Sequence, residues 1–268
     1  MKKNLLELMV VIFLLIISTI GLSAQENIGQ QKQPNADALK ASLAKAQSLA
    51  KQGKKEEASK IYTDLMQSYP DNKEDVQGWL ILNMKRTPTG EVEAIKQLED
   101  LQNLYPKNTG ILFFKFYIEA EHGQNEEALK DCDKLIKLQP DTALNYVGKG
   151  QVLVTMKKFK EACKAFEKAT KLNPSRFDVW VMKAGAEERA GKFNDAISSM
   201  NKAVELKPQY PANYYNRACF YCLKGDTANA MADLKKAIDL NPSFKQSARK
   251  DEDFKSLYDN VDFKKLVE

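Results

Sequence analysis

Four cysteines, one histidine and several paired carboxylates are the groups in this 268-residue chain that could do chemistry. Cys219-Phe220-Tyr221-Cys222 is a CxxC pair, a spacing that allows a local disulfide, thiol exchange or half of a zinc site. Redox pairs of this kind stand where a strand feeds the start of a helix, whereas this one falls inside a helical pattern. A zinc site needs two further ligands, and the sole histidine, His122, lies nearly a hundred residues away. A local disulfide or two free thiols is the plain reading; a thiol redox helper is the alternative. Cys132 and Cys163 occupy apolar positions and read as small buried hydrophobes. His122 precedes Gly123 at a helix end, where it suits a cap or the helix dipole better than base catalysis. Glu126-Glu127 and Glu187-Glu188 read as solvated helix faces. The motifs GxSxG, Walker A, GxGxxG and HExxH are missing from the sequence. No catalytic residue, cofactor or metal is expected.

What positions these residues is a repeat. Tyr146, Gly150, Leu153, Ala162, Phe166, Ala169 and Pro174 set a spacing that returns 34 residues later at Trp180, Ala184, Ala196, Met200, Ala203 and Pro208. It returns again at Tyr214, Ala218, Tyr221, Ala230, Leu234, Ala237 and Pro242. Earlier copies are weaker, but prolines at 70, 106 and 140 each follow an alanine (Ala58, Ala94, Ala128) by twelve residues. The step from Pro70 to Pro106 is 36 residues, so two are inserted near Lys73 and Glu74. Each unit reads as two antiparallel helices. The pairs are 38–51 with 55–68, 74–86 with 91–104, 109–121 with 125–138, 143–156 with 159–172, 177–189 with 193–206, and 211–223 with 227–240. The alanine lets the second helix approach a small residue on the first: Ala46, Gly150, Ala184 or Ala218. Leu82 and Phe116 depart from this, and Leu65, Leu101 and Leu135 stand where later units have alanine, so the first half is the less typical. Gly53, Gly123, Gly191 and Gly225 mark the turns, with Thr89 and Lys157 in the glycine's place elsewhere. Proline closes each unit because it lacks an N–H and disfavours helix before it.

These residues resemble the tetratricopeptide repeat (TPR), with an aromatic and a small residue on one helix, then AxxxFxxA and a Pro on the next. The resemblance covers about 39–244 as six units: 39–72, 75–108, 109–142, 143–176, 177–210 and 211–244. It implies an all-α fold, a right-handed superhelical α-solenoid of about six helix pairs. Residues 245–268 resemble the tail that closes such arrays. They are expected to form two short capping helices anchored by Phe254 and Phe263, because a terminal unit has no neighbour to cover it. The resemblance also implies that first helices line a groove for a partner. The corresponding positions are Trp79, Asn83, Phe113, Tyr117, Leu144, Val147, Gln151, Asp178, Val181, Glu188, Arg189 and Tyr215, with Cys219 beyond. The set is largely apolar and lacks the Lys/Asn/Arg clamp with which some TPR modules hold acidic chaperone tails. An amphipathic helix or an extended segment of another protein would suit it.

The first 24 residues have a charged start, a fifteen-residue apolar run from Leu8 to Leu22, and Ser23-Ala24. This is the pattern of a secretory signal peptide cleaved near Ala24, interrupted only by Glu7. The alternative is an uncleaved inner-membrane anchor over 5–22, short for a span of about 20 residues. Either places the chain in the periplasm, or facing it. Residues 25–38 are polar and aperiodic and read as a flexible tether. The chain carries +5, and loss of Lys2, Lys3 and Glu7 leaves +4, too mild for a dedicated nucleic-acid binder. The leading expectation is a non-enzymatic protein-interaction scaffold of the bacterial cell envelope. A glycan or cell-wall binder, stacking sugars on Trp79, Tyr146 or Trp180, is a further alternative.

Overall fold

The computed structural model describes residues 36–68, short stretches between 95 and 107, and 109–268. The expected signal segment, nearly all of the tether, most of the second helix pair, Trp79 and Asn83 lie outside these residues. Every α-helix between residues 109 and 240 begins where the 34-residue period places one. The helices are α1 (Ala36–Lys51), α2 (Lys55–Ser68), α3 (Thr109–Glu121), α4 (Asn125–Leu138), α5 (Ala143–Thr155) and α6 (Phe159–Leu172). They continue with α7 (Phe177–Arg189), α8 (Phe193–Leu206), α9 (Pro211–Lys224) and α10 (Thr227–Leu240). The terminus is α11 (Phe244–Ala248), a 3-10 turn (Glu252–Leu257) and α12 (Val261–Val267). No strand occurs among the described residues. The chain divides at Asp131/Cys132 into two compact units.

In the first unit α1 packs on α2 around Leu39, Ala46, Ala58, Tyr62 and Leu65. Helix α3 is apolar nearly all round and buries Ile111, Leu112, Phe116, Tyr117 and Ile118. A helix of that kind belongs in an interior. In the second unit α5 packs on α6, α7 on α8, and α9 on α10, and each pair docks on the next through α6–α7 and α8–α9. The alanines of the sequence pattern are the contact points: Ala162, Ala184, Ala196, Ala218 and Ala230 are wholly buried. Gly150 shows why the position must be small, since a Cβ there would meet the Phe166 ring at 2.6 Å.

The turns follow the glycines. Gly53, Gly123, Gly191 and Gly225 have φ between +74° and +87°. Lys157, which replaces glycine in its unit, is forced to φ 60°, strained for a residue with a Cβ. Repeating staples then fix the start of each pair. Tyr146 Oη donates to the Pro140 carbonyl (2.9 Å), Trp180 Nε1 to Pro174 (2.9 Å) and Tyr214 Oη to Pro208 (3.1 Å). Asn173 and Asn241 are turn residues, accepting from the Ser175 hydroxyl and the Ser243 N–H.

The C-terminal cap has three short helical pieces rather than the expected two. Phe254 and Phe263 anchor it at 0% and 2% exposure, together with Leu257 and Val267. Tyr215 on α9 receives it, with ring centroids 4.6 Å from Phe244 and 5.5 Å from Phe254. Asn260 caps α12 by accepting from the N–H groups of Asp262 and Phe263.

Candidate functional site

The expected groove residues separate into two classes. On α3, Tyr117 is 5% exposed and Phe113 half-buried, its ring 5.8 Å from Phe114 and 6.3 Å from Phe116. In the second unit Val147 is wholly buried. Tyr215 is buried as well, its hydroxyl donating to Asp251 Oδ2 at 2.8 Å beneath the cap. Val147, Tyr117 and Tyr215 are therefore packing residues and offer no free surface. The first two are buried, and the third is covered by a tail that the 34-residue period does not reach.

Leu144, Gln151, Asp178, Val181 and Glu188 are half-buried, and Arg189 is exposed. Leu144 and Gln151 lie two turns apart on α5, and Asp178, Val181 and Glu188 recur at helical spacing on α7. The two helices meet here, with Gln151 Nε2 3.9 Å from Met182 Sδ. Arg176 holds Asp178 in a fork, Nε to Oδ1 at 3.1 Å and Nη2 to Oδ2. The Arg189 guanidinium lies 5.8 Å over the Phe159 ring. Half-exposed aliphatics beside an anchored carboxylate can grip both an apolar side chain and a backbone N–H.

The cysteines are all buried and free. Cys132 donates to the Asn145 carbonyl at 3.1 Å, and burial pushes its thiol up to about 12. Burial also raises Cys163, Cys219 and Cys222. A reactive thiol needs the opposite, an exposed position with a depressed pKa. Cys219, Asp251 and Asp253 bring three potential ligand atoms within 4.8 Å. Asp251 already accepts from Tyr215, and its Oδ2 lies 4.0 Å from Cys219 Sγ, so hydrogen bonding accounts for the group. Tyr146 and Trp180, the sugar-stacking candidates, have their polar atoms committed to proline carbonyls. His122 is exposed at the end of α3, where its N–H continues the helix to the Ile118 carbonyl.

One column of residues escaped the sequence reading although its signal is plain: Lys115, Lys149, Lys183 and Arg217 recur every 34 residues. In the first unit Lys115 reaches Asp131 (2.8 Å) and Glu119 (3.0 Å). Burial pulls Lys115 down, but the two acids outweigh it and leave it raised. Burial pushes Glu119 up. In the second unit Lys183 bridges Glu187 (2.9 Å) and Ser199 (2.9 Å), and Ser199 donates to Glu187 at 2.7 Å. Arg217 grips Asp233 through two bonds of 2.6 and 2.8 Å, which hold the guanidinium above its ordinary range. Lys149 has neither acid and turns to Asp133 at 2.6 Å.

The family comparison agrees with this geometry. The tetratricopeptide-repeat family matches residues 40–72, 147–211 and 211–244. The chain is a TPR protein. Its fold is that of the TPR solenoids. MamA from Desulfovibrio magneticus RS-1 is 21% identical and superposes with a TM-score of 0.57, over 63% of this chain and 96% of that one. YrrB, described as a TPR protein with an unusual peptide-binding site, is 18% identical with a TM-score of 0.60, over 70% of this chain and 97% of that one. At these identities the likeness is one of fold. No curated protein matches the sequence significantly. As a TPR protein the chain is of the interaction-scaffold type.

Proposed function

We propose that this TPR protein is a non-enzymatic scaffold of the bacterial cell envelope that holds a segment of another protein against α5 and α7. The observation that carries the reading is the half-exposed face of Leu144, Gln151, Asp178, Val181 and Glu188, on first helices that meet at Gln151 and Met182. Its aliphatic and charged groups suit an amphipathic helix or an extended segment. The peptide-binding description of YrrB supports it as analogy of fold. The amino-terminal pattern of Lys2, Lys3, the apolar run and Ser23-Ala24 supports the envelope location.

A photo-crosslinking residue at Gln151 or Val181 tests it in living cells. One discrete protein adduct is expected from both positions. It should be lost in Leu144→Ser/Glu188→Ala and absent when the same probe stands at Lys235 on α10. Equal labelling from α10, or no adduct from either groove position, refutes the binding site. The amino terminus of the extracted protein tests the location, with a start at Gln25 expected for export.

A further inference from the structure

The charge of the chain is concentrated in one place. Residues 149–192 hold eleven lysines and arginines against five acids, a net +6, whereas the whole chain carries +5. All other residues together are thus one unit negative. The centre of this excess is the outer face of α6. Lys160, Lys164, Lys168 and Lys171 recur at three- and four-residue steps along α6, and Lys157 stands in the turn just before it. All five are exposed, while Ala162, Cys163, Phe166 and Ala169 face inward. Lys171 is paired with Glu167 at 2.6 Å, and Lys168 lies 5.9 Å over the Tyr146 ring. Lys157, Lys160 and Lys164 have no acidic partner among the described residues.

The stripe borders a cleft of about 480 Å³ between α6 and α8, floored by α7. Lys160 and Lys164 stand on one wall, Lys192 and Ser198 on the other, and Trp180 and Lys183 line the cleft too. Its acids are already engaged: Glu187 with Lys183 and Ser199, Glu167 with Lys171, and Asp195 with Lys192 at 3.8 Å. The unneutralised groups are cations.

We propose that the α6 face and this cleft form a second interaction surface, separate from the α5/α7 groove, whose partner is an acidic polypeptide segment rich in Asp and Glu. A cleft of this volume takes several side chains of a peptide, whose carboxylates can lie among its lysines. A lipid surface fits less well, because α6 carries no exposed large apolar residue to insert among its lysines. Nucleic acid fits less well because Glu161 and Glu167 interrupt the stripe, where a continuous phosphate backbone would meet them.

The test is binding of a fluorescent polyglutamate peptide to the full chain at low salt, read by anisotropy. The variants are Lys160→Glu/Lys164→Glu/Lys168→Glu and, on α10, Lys235→Glu/Lys236→Glu, in which Lys236 occupies the repeat position of Lys168. The α6 variant should weaken binding by about tenfold or more, and added salt should do the same to the parent. The α10 variant should bind within about twofold of the parent. The neutral set Lys160→Gln/Lys164→Gln/Lys168→Gln should fall between, and unchanged circular dichroism shows that each variant folds. Equal binding by the α6 and α10 variants overturns the proposal. So does a parent that ignores polyglutamate but binds phosphatidylglycerol vesicles or duplex DNA, which assigns the face to lipid or to nucleic acid. Leu144→Ser/Glu188→Ala should leave polyglutamate binding intact, so failure here and failure of the groove are separable.

Discussion

Replacing Gly150 with alanine examines the principle that organises the fold, the close approach of paired helices. The new Cβ would sit 2.6, 2.7 and 2.8 Å from Cε1, Cζ and Cδ1 of Phe166. Carbon atoms in contact keep about 3.5–4.0 Å, so the ring must retreat by about 1 Å. Phe166 is wholly buried, and interiors are close-packed, so the movement displaces its neighbours. Overpacking of this size costs about 1–3 kcal/mol, while alanine's better helix propensity returns about 1 kcal/mol. The expected result is a net loss of up to about 2 kcal/mol from a substitution that usually stabilises a helix. The register explains the pairing of residues: where the first helix has alanine, at 184 and 218, the facing position holds Met200 and Leu234 instead of phenylalanine. Phe166→Leu should therefore relieve Gly150→Ala. A double-mutant cycle by urea unfolding, followed by circular dichroism, should give a favourable coupling of about 1 kcal/mol or more. Gly150→Ala at or above parental stability, or additive single changes, would show that the helix approach does not depend on this contact.

Three further outcomes follow from local geometry. Lys157→Gly removes a side chain from a backbone at φ 60°; it should stabilise by about 0.5–1 kcal/mol in the same urea assay, and a loss would show that the turn is unstrained. Lys192 caps α8 without a side-chain bond, whereas Asp226, one period on, accepts from the Asn229 N–H. Lys192→Asp should gain about 0.5–1 kcal/mol, read as a raised urea midpoint, and no change would discount the cap. Cys132 keeps its proton to about pH 12 when folded but loses it near 9.0 when exposed. Its contribution is full below 9.0 and is lost as pH rises through about 12, by up to about 1.4 kcal/mol per pH unit. Stability of Cys132→Ala measured from pH 8 to 12 should fall less steeply than that of the parent, and parallel curves would refute the assignment.

The sequence reading came close on the helices because the repeat writes the same contacts several times. Ala162, Ala196 and Ala230 each mark a buried crossing, and the glycines each mark a left-handed turn. It came less close on the groove because the period fixes a residue's place on a helix but not what lies above it. Val147 and Val181 hold the same register position, yet Val147 is wholly buried and Val181 half-exposed. The cation column was legible and overlooked. Charged residues on helices are usually solvated, but Lys183 is only 16% exposed and Arg217 17%, because each stands opposite an acid or hydroxyl on the partner helix. Their partners at i+16 (Asp131, Ser199 and Asp233) repeat with the same period, except that Ala165 breaks the series. Lys149, deprived at that position, turns outward to Asp133, and that exception shows the column to be an interaction of paired helices rather than a property of single ones.

The cap bears on function through the same loss of period. Tyr215 stands 34 residues after Val181, so register alone puts both on a partner-facing surface. Beyond Pro242 the period ends, and the chain folds back so that Phe254 meets Tyr215, Asp251 accepts from its hydroxyl, and Ser256 reaches Cys222 at 3.2 Å. The tail thus covers on α9 the register position that Val181 leaves half-exposed on α7, setting an aromatic ring against Tyr215 and a carboxylate against its hydroxyl. The same contacts explain the CxxC, because Cys219 and Cys222 are the small buried residues that let the 3-10 turn lie close on α9. Their spacing belongs to a packing surface, and burial beneath the tail is what raises both thiols above their ordinary range.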